Sequence, residues 1–306
     1  MARLDVSPPP VLLFVHYAKQ DISAFHLGII AFVAPNTSEQ YSIGRSSRES
    51  GRFEEGRMGF RVTTLNLEQD HKRWDERRAL IVDELGELKP DVFAINEICL
   101  PRQTGRYLQK AAKERWGIEY TLIQQSKVNG LSQVDGEGIL TRFPVKETAN
   151  LDYRAHDAVA QVARIEIESH LVDVYVTHLY RSVGEDALRI YQVQQLLDWV
   201  KTRDDVDARV VCGDFNATLD MASATLMASQ FQPTQTQPTA FTPLREKHGS
   251  PSHPNWERFD RCIDYIWVAG PLRVNGSGLC FDKPSPGDSS LWPSDHVGVW
   301  ADLEFE

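Results

Sequence analysis

The chain has 306 residues, of which 42% are hydrophobic and 25% charged, a composition typical of a globular protein and not of a disordered or fibrous chain. Its 33 Lys and Arg against 43 Asp and Glu give a net charge of -10, which excludes a general positive field that attracts nucleic acid or anionic membrane. The four cysteines form no CxxC pair, which argues against a disulfide framework or a zinc knuckle and favours a reducing, cytoplasmic setting.

The first 57 residues differ in composition from the rest. Two short apolar patches precede a stretch rich in Ser, Arg, Glu and Gly at residues 42–57, which is typical of a linker. We expect residues 1–57 to be an N-terminal extension, either poorly ordered or packed as an accessory, and residues 58–306 to be the compact domain. A natural start at Met58 is a further hypothesis.

The chain contains neither a membrane span nor a secretory signal by pattern. No apolar run reaches the roughly 18 residues that a membrane-spanning helix needs, and Asp5 and three prolines stand where a signal peptide would be basic and then continuously apolar. We therefore expect a cytoplasmic protein without stable membrane insertion.

From residue 58 onward, helical and strand patterns alternate, and the later part is richer in strands. Apolar runs predict strands at residues 60–66, 92–95, 138–140, 158–167, 171–177, 209–212, 262–268 and 297–305, and helices at 76–88 and 185–200. Residues 230–255, rich in Pro, Thr, Gln and Ser, are predicted to form a long surface loop.

Polar residues stand at or near the ends of these predicted strands: Asn66, Glu97, His178, Asp214, Asn216 and Asp264. Desolvating an unpaired carboxylate costs several kcal/mol, so carboxylates that converge from different strands imply a cation or a strong hydrogen-bond network. Asp and Glu without Cys are the ligands of a hard ion such as Mg2+ or Mn2+.

Each of these features taken singly has an ordinary structural explanation. Asn66 at a strand end is typical of a turn, Glu97 of a cap on a helix beginning near residue 101, and His178 of a partly buried histidine with a satisfied ring. The GDFN sequence at 213–216 is typical of a turn, and SDH at 294–296 of a surface loop. Their combination favours a catalytic site.

Seven segments, taken in order, resemble the endonuclease/exonuclease/phosphatase superfamily: TLNL at 64–67, DVFAINE at 91–97, GILTRFP at 138–144, THL at 177–179, GDFN at 213–216, IDYI at 263–266 and SDHVG at 294–298. GDFN alone would be moderate support and SDH alone weak, but the ordered set is specific. The resemblance covers residues 58–306. It implies an α+β fold, a four-layered αββα sandwich of two packed mixed sheets with outer helices, and an active site at one rim.

The resemblance also implies a metal site. Glu97 would be the main ligand, helped by Asn66 and by Asp295 across the site. Asn96 stands where the family commonly has Gln, and we expect this to alter a contact behind the ligand but not the ligand itself. Glu68, where some members carry a second acidic ligand, is expected to face solvent.

By the same resemblance, five residues would carry the chemistry. Asp214 would orient or deprotonate the attacking water, and Asn216 would hold the phosphate or that water. His296 would contact a nonbridging phosphate oxygen, while His178 would stabilise the pentavalent state or the leaving group. Asp264 would fix His178 or join the metal network.

The expected activity is that of an Mg2+- or Mn2+-dependent phosphoric ester hydrolase, a phosphodiesterase or nuclease that uses water attack. The alternatives are a phosphomonoesterase or a sphingomyelin-type lipid phosphodiesterase, and a module that has lost catalysis. Arg154, Tyr180, Arg181 and Trp292 are the candidate substrate-binding residues at the rim, although a solvated surface explains them as well. The expected partner is a phosphate-ester substrate such as nucleic acid, and the expected state is a monomer.

Overall fold

Two six-stranded mixed sheets lie face to face in the described part of the chain, which comprises residues 59–68, 72–126, 135–181, 186–235 and 261–306 of a computed structural model. The strands are β1 (Gly59–Asn66), β2 (Val92–Cys99), β3 (Thr121–Ser126), β4 (Asp135–Thr141), β5 (Val145–Asp152), β6 (Val159–Ile167), β7 (His170–His178), β8 (Ala208–Asp214), β9 (Gln232–Pro233), β10 (Asp264–Ala269), β11 (Leu272–Cys280) and β12 (Gly298–Phe305). The helices are α1 (Trp74–Leu88), α2 (Thr104–Trp116), α3 (Asp186–Lys201) and α4 (Ala222–Ala228). The expectations for residues 1–57 lie outside these residues.

Each sheet contains one parallel pair of strands. The first sheet has the order β11-β12-β1-β2-β4-β3, and the second has the order β5-β6-β7-β8-β10-β9. β1 runs parallel to β2, and β7 runs parallel to β8. Because parallel neighbours need a crossover connection, α1 links the first pair and α3 links the second.

Three hydrophobic clusters hold the layers together. The inner faces of both sheets share one core, which includes Phe60, Val174 and Ile266. A second cluster packs α3 and α4 on the outer face of the second sheet, and a third packs α1 and α2 on the outer face of the first. The predicted α+β sandwich of two mixed sheets with outer helices is confirmed.

The sequence pattern also identifies where α1 ends. Ile81, Leu85 and Leu88 recur at helical spacing and are buried, and Pro90 follows as a stop signal. Lys89 takes the left-handed conformation and its backbone N–H donates to Leu85 O, which satisfies a carbonyl that the helix end would otherwise leave unpaired.

The sequence prediction omitted several elements. β3 and β5 are edge strands with many exposed polar side chains, so the apolar alternation that marks a half-buried strand is weak. The predicted loop at 230–255 begins with a short strand instead, because β9 pairs with β10 through Pro233 and Trp267. Its residues beyond 235 lie outside the description. Among the described helices, none is long and apolar enough to cross a membrane.

Candidate active site

Strand ends from both sheets bring polar side chains to one rim. The carboxyl ends of the parallel strands carry Asn66, Glu97, His178 and Asp214. The antiparallel strands β10 and β12 begin at the same rim. Asp264 is the first residue of β10, and Asp295 and His296 lie just before β12. The register of the second sheet places Asp214 opposite both His178 and Asp264. Residues remote in sequence therefore meet because the topology aligns these strand ends.

Asp214 lies at the centre of this rim and is buried. Its Oδ2 accepts a hydrogen bond from Asn66 Nδ2 at 3.2 Å, and lies 3.5 Å from His178 Nε2 and 3.8 Å from His296 Nε2. Its Oδ1 accepts from the backbone N–H of Asn216 at 2.8 Å. One carboxylate thus contacts groups from both sheets.

An aspartate-histidine pair stands beside it. His296 Nδ1 lies 2.9 Å from Asp264 Oδ2. Burial disfavours a charged ring, but Asp264, and more weakly Asp214 and Asp295, hold the pKa of His296 well above its ordinary 6.5. The resemblance implied that Asp264 would fix His178 or join the metal network; in the structure Asp264 pairs with His296, and the metal alternative stays a prediction.

The carboxyl of Asp214 has a raised pKa. Burial, together with the negative charge of Asp264, raises the pKa of Asp214 to about 7, although His296 opposes this shift. A carboxyl with such a pKa can act as a proton acceptor at neutral pH with a larger driving force than an ordinary aspartate.

His178 lies between two acidic residues. Its Nδ1 is 3.8 Å from Glu97 Oε1 and its Nε2 is 3.5 Å from Asp214 Oδ2. Glu97 has a φ of 58°, and it lies where the register between β2 and β4 shifts, an irregularity that redirects side chains at sheet rims. The alternative in which Glu97 caps a helix is wrong, because α2 begins at Thr104.

Glu68 is buried, so the expectation that it faces solvent is wrong. Its backbone N–H donates to Asn66 Oδ1 at 2.9 Å, so Asn66 both shapes a turn and reaches Asp214. Burial and then the charge of Asp295 raise the pKa of Glu68 to about 8. In the sequence, Glu68 was marked only by its position two residues after Asn66, where some family members carry a second acidic ligand.

Arg77 of α1 clamps the loops that carry these acids. Its three guanidinium nitrogens donate to the carbonyl oxygens of Leu67, Lys72 and Pro293, each at 2.7 Å. Its Nη2 also lies 3.6 Å from Glu68 Oε2. Sequence reasoning missed Arg77, because nothing in a helical pattern distinguishes a buried arginine from a solvated one.

Ser294 ties the loop before β12 to β1. Its hydroxyl donates to Asn66 O at 2.5 Å and lies 3.3 Å from Asp295 Oδ1. The backbone N–H of His296 donates back to Ser294 Oγ at 3.2 Å. These hydrogen bonds hold the SDH sequence at 294–296 in the rim, so it is not an ordinary surface loop.

Asn96 lies buried beneath the rim. Its Nδ2 donates to Thr177 O at 3.0 Å and to the Glu137 carboxylate, while its Oδ1 accepts from the backbone N–H of Asp214 at 2.9 Å. These bonds connect the two sheets behind the catalytic candidates. Glu137 was not singled out by the sequence.

Two sets of side chains have the chemistry of a cation site. In the first, ligand atoms lie within 4.8 Å of one another, and its members are Asp214, Asp264 and His296. The second contains the predicted ligands with one addition, namely Asn66, Glu97, Asp295 and Glu68. The first set is already joined internally by a carboxylate–imidazole bond, whereas the second offers oxygen donors alone, whose mutual repulsion contributes to the raised pKa of Glu68. Oxygen donors alone are the ligands that a hard divalent ion prefers, whereas among the described residues the ligand atoms that converge within 4.8 Å belong to the first set.

The candidate substrate-binding residues occupy the surrounding surface. Arg154 and Arg181 are exposed, and Tyr180 and Trp292 are half-buried. Arg154 belongs to the turn between β5 and β6, from which His156 packs its ring against Tyr180. His156 was not predicted, because only the fold brings this turn to the rim.

An αββα sandwich whose rim gathers carboxylates, amides and imidazoles is the architecture of a class of phosphate-ester hydrolases. The chain belongs to the endonuclease/exonuclease/phosphatase family, whose model matches residues 63–296. Enzymes of this family are generally metal-dependent phosphoesterases.

Similar proteins include Nocturnin of Xenopus laevis, which is 25% identical over 260 residues, an alignment covering 76% of this chain and 65% of that protein. The chain thus spans less than two thirds of this relative. Among solved structures, a family protein from Bacteroides thetaiotaomicron has a TM-score of 0.66 at 16% identity, covering 82% of this chain and 99% of the other. D. rerio TDP2 complexed with single strand DNA product has a TM-score of 0.65 at 16% identity, covering 80% and 98%.

Proposed function

We propose that this protein is an Mg2+- or Mn2+-dependent phosphodiesterase or nuclease that cleaves its substrate by attack of water. The observation that carries the proposal is the position of Asp214 between the imidazoles of His178 and His296 at a rim rich in oxygen ligands. A phosphodiester resists hydrolysis because its oxygens repel the nucleophile and its leaving group is poor, and these groups address both problems.

Asp214 is the base in this proposal. Its pKa of about 7 suits it to accept a proton from water near neutral pH. In this proposal Asn216, whose backbone N–H donates to Asp214 Oδ1, orients the same water or the phosphate. The hydrogen bond between the Asn216 N–H and Asp214 Oδ1 fixes the base relative to the substrate. Positioning of this kind lowers the activation barrier of the reaction by several kcal/mol.

The histidines stabilise the charge that develops on the phosphoryl group. His296, kept protonated by Asp264, donates to a nonbridging oxygen, and His178 faces the pentavalent state or the leaving group. Asn66, Glu97, Glu68 and Asp295 would hold the divalent ion, which when bound supplies Lewis-acid neutralisation of phosphoryl charge.

Two observations support nucleic acid as the substrate class, and a third limits how much of it is bound. A structurally similar protein, D. rerio TDP2, was solved with single strand DNA product. Arg154 and Arg181 give local positive charge. The net charge of -10 argues against an extended grip on a duplex, so a short stretch of substrate fits better.

We also propose a cellular location for the enzyme. All four cysteines are buried and none forms a disulfide, which supports a reducing, cytoplasmic location. We also propose that residues 58–306 form the catalytic domain, that residues 1–57 form an extension, and that the protein acts as a monomer.

Hydrolysis assays with Mg2+, Mn2+ or EDTA test the activity. The substrates are bis-p-nitrophenyl phosphate, p-nitrophenyl phosphate, DNA, RNA and sphingomyelin, and the variants are Glu97→Gln and the exposed control Glu114→Gln on α2. We expect metal-dependent cleavage of diesters that Glu97→Gln abolishes and Glu114→Gln retains. Cleavage of the monoester or sphingomyelin alone would replace the proposal with its alternatives, and no activity with no metal binding would indicate a noncatalytic module.

A further inference from the structure

An aromatic pair lies beside the catalytic rim and has no part in the chemistry above. The imidazole of His156 packs against the ring of Tyr180 with centroids 4.1 Å apart and an angle of 34° between the planes. His156 is exposed and Tyr180 is half-buried, so the pair reaches the surface. His156 also has a φ of 53°, a left-handed conformation that is uncommon for residues other than glycine, although histidine adopts it more often than most.

Buried side chains of α3 fix both ring-bearing segments. Gln192 accepts from the backbone N–H of Tyr180 at 2.9 Å through its Oε1, and donates to Ala155 O at 3.2 Å through its Nε2. Arg189 donates to Tyr180 O at 3.0 Å. Because one buried glutamine bonds to both segments, the spacing of the rings is set before any ligand binds.

The same segments are bonded to the catalytic residues. The backbone N–H of Leu179 donates to Asp214 O at 2.9 Å, and Asn216 Nδ2 donates to Leu179 O at 3.0 Å. Tyr180 follows Leu179 and stands two residues after His178. The ring pair therefore borders the place where the scissile phosphate is expected.

Both basic and acidic residues lie close to the two rings in the sequence. Arg154 lies two residues before His156 and Arg181 follows Tyr180, and both are exposed. The acidic neighbours are Asp157 on the same turn and Asp152, whose Oδ1 accepts from the backbone N–H of Arg154 at 2.7 Å. Aromatic rings with arginines nearby in the sequence match a ligand that alternates flat bases with phosphates, because stacking binds the base and the arginines attract the backbone.

We propose that His156 and Tyr180 form a stacking platform for the nucleobase next to the scissile phosphate, so that the enzyme selects unpaired nucleotides over diesters without a base. This inference rests on the proposed phosphodiesterase function. A base inside a duplex must first leave its stack before it can reach the platform, so single strands are the preferred polymer.

Two chromogenic diesters with the same leaving group test the platform. They are thymidine 5′-(p-nitrophenyl phosphate) and methyl p-nitrophenyl phosphate, which differ in the nucleoside alone. We expect the wild type to prefer the thymidine diester in kcat/KM by about tenfold or more, the contribution of one stacked base. His156→Ala and Tyr180→Ala should bring the two diesters to within about twofold, and Tyr180→Phe, which keeps the ring, should retain the preference.

The matched control is Tyr191→Ala, which removes an exposed aromatic ring from α3 and should leave the preference as in the wild type. A wild type without preference, or alanine variants that keep it, would overturn the platform. Cleavage of both diesters with equal efficiency would thus contradict the platform and leave the phosphodiesterase function standing.

If neither small diester is cleaved, the DNA and RNA assays above decide the proposed function, and binding decides the platform. The probes are fluorescent pentathymidylate and the same oligomer with abasic sugars. Weaker binding of the abasic oligomer by the wild type, and loss of that difference in His156→Ala, would support the platform. Equal binding of both oligomers, or binding of neither, would reject it.

Discussion

Asn96 accepts a 2.9 Å hydrogen bond from the backbone N–H of Asp214, and this bond joins the first sheet to the second beneath the proposed base. The residue before Asp214 is Gly213, with a φ of 129°. A Cβ there would lie 2.0 Å from Thr177 O and 3.0 Å from Asn96 Oδ1. The close approach of β2, β7 and β8 at this point therefore requires both a glycine and a short amide.

Replacing Asn96 tests whether this connection positions Asp214. Asn96→Leu should lower kcat about hundredfold, because a misplaced catalytic group costs that much. It should also lower the free energy of unfolding by about 2–4 kcal/mol, since the Asp214 N–H and the Glu137 carboxylate lose a buried partner. Steady-state kinetics and urea denaturation measure the two effects.

The control for this variant is Thr148→Ala at an exposed position of the edge strand β5, which should change stability by less than about 0.5 kcal/mol. A normal kcat in a destabilised Asn96→Leu protein would show that Asn96 serves folding alone. Asn96→Gln keeps the amide, so it should recover part of the activity if position is what matters.

Asp264→Asn tests the pair with His296. The variant keeps the shape of the side chain but removes the charge that holds the pKa of His296 above its ordinary value. We expect the pKa of His296 to fall, as measured by NMR titration, and kcat to drop about hundredfold or more at neutral pH. His296→Ala should lose a similar factor, and the double variant little more, because residues that act as a unit are not additive.

A His296 titration that is unchanged in Asp264→Asn would contradict this pairing. Losses that multiply in the double variant would instead indicate two independent roles.

The strands that build the site were predictable, and the edges were not. β2 and β8 are buried on both faces, so their apolar runs mark them in the sequence. β5 has the sequence VKETANLD and is mostly exposed. A polar edge strand like this lacks the apolar run that marks a buried strand. Its pairing with β6 is visible only in three dimensions.

The contacts of the site depended on details that no linear pattern contains. Asp264 meets His296 because β10 and β12 begin at the same rim. Glu68 is buried because Arg77 draws its loop and the loop at Pro293 together. The ligand type followed from residue chemistry, but the choice between a solvated and a buried Glu68 required the position of a helix.

Arg77→Lys tests the clamp. Lysine keeps the charge but cannot donate to three carbonyls in a fixed fork, so we expect a loss of about 3 kcal/mol in the free energy of unfolding. The exposed Arg106 on α2 gives the control variant Arg106→Lys, with a change below about 0.5 kcal/mol. Equal urea midpoints for both variants would contradict the clamp.

Glu68 links stability, pH and metal. Its pKa is about 8 in the folded protein against an ordinary 4.5, so the folded state holds the proton more tightly than the unfolded state. The stability that this group contributes is complete below pH 4.5 and is lost as pH rises toward 8. In EDTA, the Tm of the wild type should therefore fall as pH rises through this range, and the Tm of Glu68→Gln should fall less.

A bound divalent ion should reverse this penalty, because it favours the charged carboxylate. Addition of Mg2+ or Mn2+ at pH 8 should raise the Tm of the wild type by several degrees and that of Glu68→Gln by less. The matched control is Glu87→Gln, an exposed position on α1, which should behave as the wild type in both measurements. A metal-induced rise in Tm that is equal in all three proteins would place the ion away from Glu68 and favour the set formed by Asp214, Asp264 and His296.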